Sequence, residues 1–325
     1  MSMYRFITRR SVEIILILFI IATLTFSLFR FLPSDPVGLM IDPHSTPEKK
    51  EKQRELWGLD KSIPDQYIIF MKNMLHGDFG TSFKSGKNVY DIIKEKLPYT
   101  VLLFTSINIL SFSLGMYMGK IISWRRGGTL EYGSTVLGMF FYSMPGFWIC
   151  LLFLYLLSYK LDLFPLGGIK SIELYVTSNP GVFMKILDTL HHLFLPLTVG
   201  TLISFPGVML MMKNVMLETL HEDYIITARA KGLSEKKIRD HHAARNVMLP
   251  MVTAFTLSLV ASLGGSMILE KIFSWPGLGA EFLSASMNYD YPIAQGAFII
   301  MGAVLLIAIL ITEILYAWLD PRIRY

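Results

Sequence analysis

Hydrophobic residues in this chain fall into long uncharged runs, separated by polar segments punctuated with Pro and Gly. A helix needs about 20 residues to cross the ~30 Å hydrocarbon layer of a bilayer. Six runs reach or approach that length: residues 14–29, 100–119, 132–159, 193–212, 246–269 and 291–312. Glu13 and Arg30 flank the first and can extend toward headgroups. The third run carries Pro145-Gly146 near its middle. It is too short for two crossings and a turn, so the pattern predicts one long helix, kinked or locally unwound at the proline. The expected fold class is therefore an all-α integral membrane protein with six transmembrane helices.

An even number of crossings puts both termini on one side, and the basic residues choose it. Arg5, Arg9 and Arg10 precede the first run, Arg125 and Arg126 follow the second, and Arg322 and Arg324 end the chain. Between the fourth and fifth runs lie Lys213, Arg229, Lys231, Lys236, Lys237, Arg239 and Arg245. The short loops on the other side carry only Lys160, Lys170, Lys185 and Lys271. The positive-inside rule predicts cytoplasmic termini. The long segment 33–98 is balanced, with ten basic and ten acidic residues, and so does not bear on the orientation. The first run exceeds the 7–15 apolar residues usual in a secretory signal, and no small-x-small cleavage site follows it, so a retained anchor is expected despite the Arg9-Arg10 pair.

Composition agrees. The 325 residues are 53% hydrophobic and 17% charged, against about 25% charged in soluble domains. This excludes a disordered chain and argues against a single soluble globule. A net charge of +5 is too small and too dispersed for a nucleic-acid partner. The single cysteine, Cys150, rules out an intramolecular disulfide. The simplest partition has a tail and first helix at 1–32, an external segment at 33–98, a core at 99–319 containing a cytoplasmic loop at 213–248, and a cytoplasmic tail at 320–325. Within the external segment, turns are expected at Pro33-Ser34-Asp35-Pro36 and Gly77-Asp78-Phe79-Gly80. Helices are expected at 46–56, capped by Thr46 with Pro47 at its first position, and at 66–75. Segment 161–190 contains Gly167-Gly168 and Asn179-Pro180, and segment 270–291 contains Phe273-Ser274-Trp275-Pro276-Gly277-Leu278-Gly279.

Motifs for catalysis are missing. Gly115-Met116-Tyr117-Met118-Gly119-Lys120-Ile121 is the nearest approach to a phosphate-binding loop. It is one residue short between the glycines, has Ile where Ser or Thr is needed, and lies inside an apolar run. His221-Glu222 lacks the second histidine of a zinc-protease motif, since residue 225 is Ile225. The pairs His191-His192 and His241-His242 point about 100° apart on a helix, which is poor geometry for one metal. Glu313 near the end of the last run is a lone carboxylate, and no buried acid or histidine relay marks a proton-driven pump. The sequence thus predicts no catalytic and no metal-binding residues.

Residues 222–250 are the most specific part of the chain. Glu222 and Asp223 suit the positive end of a helix, 224–231 reads as that helix, and Gly232 suits its left-handed C-terminal cap. Ser234 can cap a second helix, with Glu235 in its first turn, running to about Asn246; Pro250 then marks the start of the fifth run. A helix–glycine–helix elbow with small residues Ala228 and Ala230, rimmed by Arg229 and Lys231, is shaped to sit in a groove of a soluble partner. It reads equally well as a basic loop that only sets topology.

Asp223-Tyr-x-x-Thr-Ala-Arg-Ala-Lys-Gly232, with Arg245-Asn246 and Leu249-Pro250, resembles the cytoplasmic coupling loop of permease subunits of bacterial ATP-binding-cassette importers, in the oligopeptide/dipeptide/nickel branch. Glu270-x-x-Phe273-Ser-Trp-Pro-Gly-Leu-Gly279, Asp290-Tyr-Pro292, Asp320-Pro-Arg-Ile-Arg-Tyr325, Gly58-Leu-Asp60, Pro64, Gln66-Tyr67 and Gly77-Asp-Phe-Gly80 are similar to other stretches of that branch. The chain departs from the wider superfamily at Ile226, Thr227 and Ala228, where a Glu-Ala-Ala pattern is usual, and its interval from Gly232 to Pro250 is longer. The resemblance implies a type I importer permease fold and a pairing with a second homologous permease. It also implies two cytoplasmic ATPase subunits that bind ATP and Mg, an external solute-binding protein, and no cofactor in this chain. It places ATPase coupling on Tyr224, Thr227, Ala228, Arg229, Ala230, Lys231 and Gly232. Pro145-Gly146 stands as hinge, gate or packing element. Expected cargo is oligopeptide or dipeptide, with nickel, a metal chelate or a small oligosaccharide as alternatives. A stand-alone secondary carrier is the alternative class.

Overall fold

The computed structural model describes residues 3–31, 37, 46–125, 127–177 and 180–319. The expected turn at 33–36, Arg126, Asn179 and the tail 320–325 lie outside the described residues. Among the described residues, apart from one isolated bridge between Thr81 and Asn88, the regular elements are helices: α1 Met3–Phe31, α2 Pro47–Leu56, α3 Ile63–Leu75, α4 Val89–Trp124, α5 Thr129–Ser143, α6 Gly146–Phe153, which runs on as a π-helical stretch Leu154–Lys160, α7 Ile172–Thr177, α8 Val182–Thr219, α9 Asp223–Ala230, α10 Glu235–Lys237, α11 Ala244–Ile272, α12 Leu278–Met287 and α13 Tyr291–Leu319. Among the described residues, four helices are long and apolar enough to span a membrane, and the bent pair around Pro145 makes a fifth. The remaining predicted run, 246–269, lies within the continuous helix α11.

The chain forms two compact units. The first comprises the described residues of 1–100 and 276–311. Here α3 lies along α1: Phe26 packs on Tyr67 and Phe70, and the Thr23 and Tyr67 hydroxyls are 2.8 Å apart. Thr46 caps α2 and Ser62 caps α3 through their side-chain oxygens, as the sequence predicts for Thr46. At Gly77-Asp78-Phe79-Gly80 both glycines have positive φ, and the Asp78 carboxylate accepts the Gly80 N–H. Beyond this turn, the Asp290 carboxylate, 2% exposed, accepts from the Ser82 hydroxyl (2.5 Å) and from the N–H groups of Phe83 (3.0 Å) and Lys84 (3.3 Å). Two stretches more than 200 residues apart are thus tied by one acid. Asp290→Ala strands three donors at a cost of roughly 2–4 kcal/mol. It is expected to expose 77–88 to limited proteolysis in the purified protein, and unchanged cleavage would refute the tie. Nearby, Thr100 Oγ1 accepts the Leu278 N–H at 2.7 Å and serves the start of α12, which has no side-chain cap of its own.

The second unit, residues 101–275 and 312–319, holds the rest of α4, then α5 to α11. The rejected phosphate-loop candidate proves to be a packing motif. A Cβ on Gly115 would lie 2.7 Å from Val208 Cβ, and one on Gly119 would lie 2.6 Å from the Met209 carbonyl oxygen. Glycines four apart present one backbone face of α4 directly to α8. The run 132–159 is not one kinked helix: α5 and α6 are bent by 100°. Met144 and Pro145 are extended between them (ψ 141° and 125°), far beyond a proline kink. Pro145 then starts α6, its carbonyl accepting from the Trp148 N–H at 3.0 Å. Where α5 meets α8, Lys213 Nζ and a Glu131 carboxylate oxygen form an ion pair at 2.7 Å, with both side chains less than 15% exposed.

Candidate coupling site

The elbow at 222–250 forms much as its residues dictate, with two corrections. Glu222 is extended and opens α9 with Asp223 in the first turn. Thr227 donates its hydroxyl to the Asp223 carbonyl at 3.0 Å. At the other end Gly232 has φ +72°. Its N–H reaches the Arg229 carbonyl at 2.9 Å and the Leu233 N–H reaches the Ala228 carbonyl at 3.3 Å. These are the paired bonds of a Schellman cap, which requires a left-handed residue at that position. Ser234 caps the next turn through the Lys237 N–H, as expected. The second helix does not stop near Asn246, however. After α10 the backbone widens into a π-turn at Ile238–Ala243 and continues as α11 through Pro250 to Ile272. Pro250 is therefore internal to a helix.

The second correction concerns Ala228. Ile225 and Ala228, three apart, form the buried face of α9 at 0% and 4% exposure. They pack in a cluster with Phe112 of α4, Met212 and Met216 of α8, Ile238 and Ala243 of the π-turn, and Val247 and Met251 of α11. Ala228 thus seats the elbow on its own chain, and does not lie on an outward docking face. Tyr224, Thr227, Arg229, Ala230, Lys231 and Gly232 are exposed, and so is Ile226, at 57%. Ile226 was legible as apolar but had no assigned face; only the burial of Ile225 and Ala228 turns it outward. Arg229 and Glu235 pair at 3.4 Å across the turn, both well exposed, a contact worth little.

A second link ties the elbow to α4. Arg239 donates from Nε and an Nη to the two oxygens of Asp240 at 2.9 and 3.0 Å, and Lys120 at the end of α4 approaches Asp240 at 3.1 Å. The Arg239 hydrogen bonds, with Lys120 behind them, hold the Asp240 carboxyl well below the usual carboxylate range. A carboxyl depressed in the folded state contributes stability above its ordinary value of about 3.9, and that stability is lost as pH falls through the lowered one. Amide exchange at 235–243 is therefore expected to be flat from about pH 8 down to about pH 5 apart from intrinsic rates. Asp240→Asn is expected to loosen it at every pH in that window by about 1–2 kcal/mol. A midpoint inside the window that disappears in the variant would contradict this assignment.

Elsewhere the predicted residues are scattered. His191 hydrogen-bonds to the Leu163 carbonyl at 3.1 Å and lies tilted by 45° against the Phe164 ring; His192 is buried beside it. Pro145 and Gly146 lie at the α5–α6 break, where a Cβ on Gly146 would touch Ile203 at an ordinary 3.6 Å.

Apolar helices, a broken span and a capped polar elbow seated on three of those helices define a membrane-embedded protein with a built projection. Residues 111–325 match the family described as binding-protein-dependent transport system inner membrane component, and residues 3–104 match the N-terminal region of such membrane components. The chain belongs to this family and is a permease of the inner membrane. It is 35% identical over 324 residues to the oligopeptide transport system permease protein AppB of Bacillus subtilis, covering 99% of this chain and 100% of that one. It is 36% identical to the dipeptide transport system permease protein DppB of Lactococcus lactis and 33% identical to DppB of Escherichia coli, in each case over 99% of this chain and at least 99% of the relative. A chain of the MetNI methionine ABC transporter shares the fold, with a TM-score of 0.56 and 14% identity over 70% of this chain and 96% of that one.

Proposed function

We propose that this chain is one permease of an ATP-driven importer for oligopeptides or dipeptides, with six crossings and both termini in the cytoplasm. It pairs with a second homologous permease, two cytoplasmic ATPases that bind ATP and Mg, and an external solute-binding protein. The full-length similarity to relatives named for peptide transport favours this cargo over nickel, a metal chelate or an oligosaccharide. The observation that carries the mechanism is the two-faced elbow. Its inner face, Ile225 and Ala228, is buried among residues of α4, α8 and α11, and its outer face is exposed. A push on Tyr224, Ile226, Thr227, Arg229, Ala230, Lys231 or Gly232 cannot be absorbed locally, because close-packed cores transmit displacement. ATPase closure would thus move α4, α8 and α11 together, with the break at Pro145-Gly146 as hinge, and alternate the access of the pathway. Co-purification from native membranes tests the assembly: an ATPase and a second permease should accompany this chain. Reconstituted vesicles should then accumulate peptide only with ATP inside and loaded binding protein outside. Uptake by this chain alone would instead establish a secondary carrier.

A further inference from the structure

The second unit holds a partly open cavity of about 430 Å³, in the range of small-molecule sites. Its wall is apolar, with Phe104 and Phe147 among its residues, but Asn108, Ser111, Ser204 and Ser258 also line it. No Asp, Glu, Lys, Arg or His lines it among the described residues. Asn108 and Ser258 are joined: the Ser258 hydroxyl donates to Asn108 Oδ1 at 2.8 Å, and Asn108 Nδ2 donates to the Phe104 carbonyl at 2.9 Å. Ser111 differs. It is 1% exposed and its hydroxyl has no hydrogen-bond partner. Helical serines usually return the hydroxyl to a carbonyl three or four residues back, as Ser123 and Ser143 do here. A buried hydroxyl left unpaired carries a desolvation cost, which a ligand offering one polar group would remove.

We propose that this cavity is a transit site that takes an apolar side chain of the cargo together with an adjoining uncharged peptide group, which hydrogen-bonds the Ser111 hydroxyl. The proposal rests on the peptide-transport reading. An uncharged, mostly apolar wall disfavours charged groups, so the termini and any charged side chain of the cargo stay outside. A peptide group has both a donor and an acceptor, and either satisfies a hydroxyl. Gly146, the first residue of α6, also lines the cavity, so the wall is set by the α5–α6 break and changes shape if that break flexes.

The test uses the complete importer in vesicles with its own loaded binding protein at saturation, so that capture by that protein cancels between variants. Uptake is measured for Leu-Leu and Lys-Lys and for the corresponding tetrapeptides. Ser111→Ala should lower the ratio of leucyl to lysyl uptake roughly three- to tenfold, the value of one hydrogen bond. An unchanged ratio overturns the site, including the case of an acyl chain in the cavity, which is indifferent to the hydroxyl. A second measurement needs no variant. Cys150 lines the cavity and is the only cysteine of this chain, so its alkylation by N-ethylmaleimide can be followed by mass spectrometry on the solubilised importer. Leu-Leu should slow it at least about threefold and Lys-Lys should not. Equal protection by both, or no protection, overturns the site. If the wild type imports none of these peptides, the peptide-transport reading itself fails, a result separate from the others.

Discussion

Gly232→Pro is expected to abolish ATP-coupled transport, while the chain still inserts and accumulates in the membrane. Proline holds φ near −65°, whereas Gly232 sits at +72° and donates its N–H to the Arg229 carbonyl. The substitution removes that bond and forces the Schellman cap apart, at a cost of about 3 kcal/mol or more. That unwinds the end of α9 and uncouples α9 from α10. Gly232→Ala is the control. A Cβ there meets nothing within 4 Å, so only the backbone preference is disturbed, at roughly 1 kcal/mol, and transport should persist at a reduced rate. Ala228→Phe should match the proline variant for a different reason: its Cβ points into the cluster of Ile225, Ile238 and Val247, and an aromatic ring there lifts the elbow off its seat. The readout is ATP hydrolysis stimulated by loaded binding protein, set against peptide uptake. Proline and phenylalanine variants that keep full stimulation and full uptake would remove the elbow from the mechanism.

The second large effect is expected at Gly119. Leucine at this position would drive a side chain into the Met209 carbonyl and Met212, each 2.6 Å from the ideal Cβ. A carbonyl in a helix cannot yield as a flexible side chain can, so α4 and α8 must separate. Overpacking typically costs 1–3 kcal/mol, and a backbone obstacle places this case at the upper end, at about 3 kcal/mol or more. Gly119→Leu should therefore lower the yield of monodisperse protein and its melting temperature sharply. Gly119→Ala should do so in part, and the exposed Gly133→Leu should leave both near wild type because a Cβ there meets nothing. Equal melting of all three would refute close α4–α8 contact as a determinant of the fold.

Much of this architecture was legible beforehand, for local reasons. Long uncharged runs become helices because a backbone without water must satisfy its own hydrogen bonds. Each of the six runs falls inside helical elements, although at Pro145 the run is broken and bent by 100° rather than kinked. Thr46, Ser234 and Gly232 act within three or four residues of themselves, and their caps form. Helix ends with longer-range causes were not legible. The elbow's second helix runs on through Pro250 because a π-turn reopens the ladder ahead of it. The 89–98 end of the external segment is the first part of α4 for a similar reason: Pro98 is accommodated inside a helix.

By itself, then, the sequence determined which segments are helical and apolar, the capped elbow between the fourth and fifth runs, and the family resemblance its motifs carry. These depend on composition and on contacts a few residues apart. Only the tertiary structure decided that Asp290 holds the Ser82–Lys84 turn, that Gly115 and Gly119 pack against α8, that Ala228 faces inward while Ile226 faces out, and that Ser111 is left without a partner beside a cavity. Each of those depends on which surfaces meet, and residues from 90 to more than 200 positions apart come together only when the helices have packed.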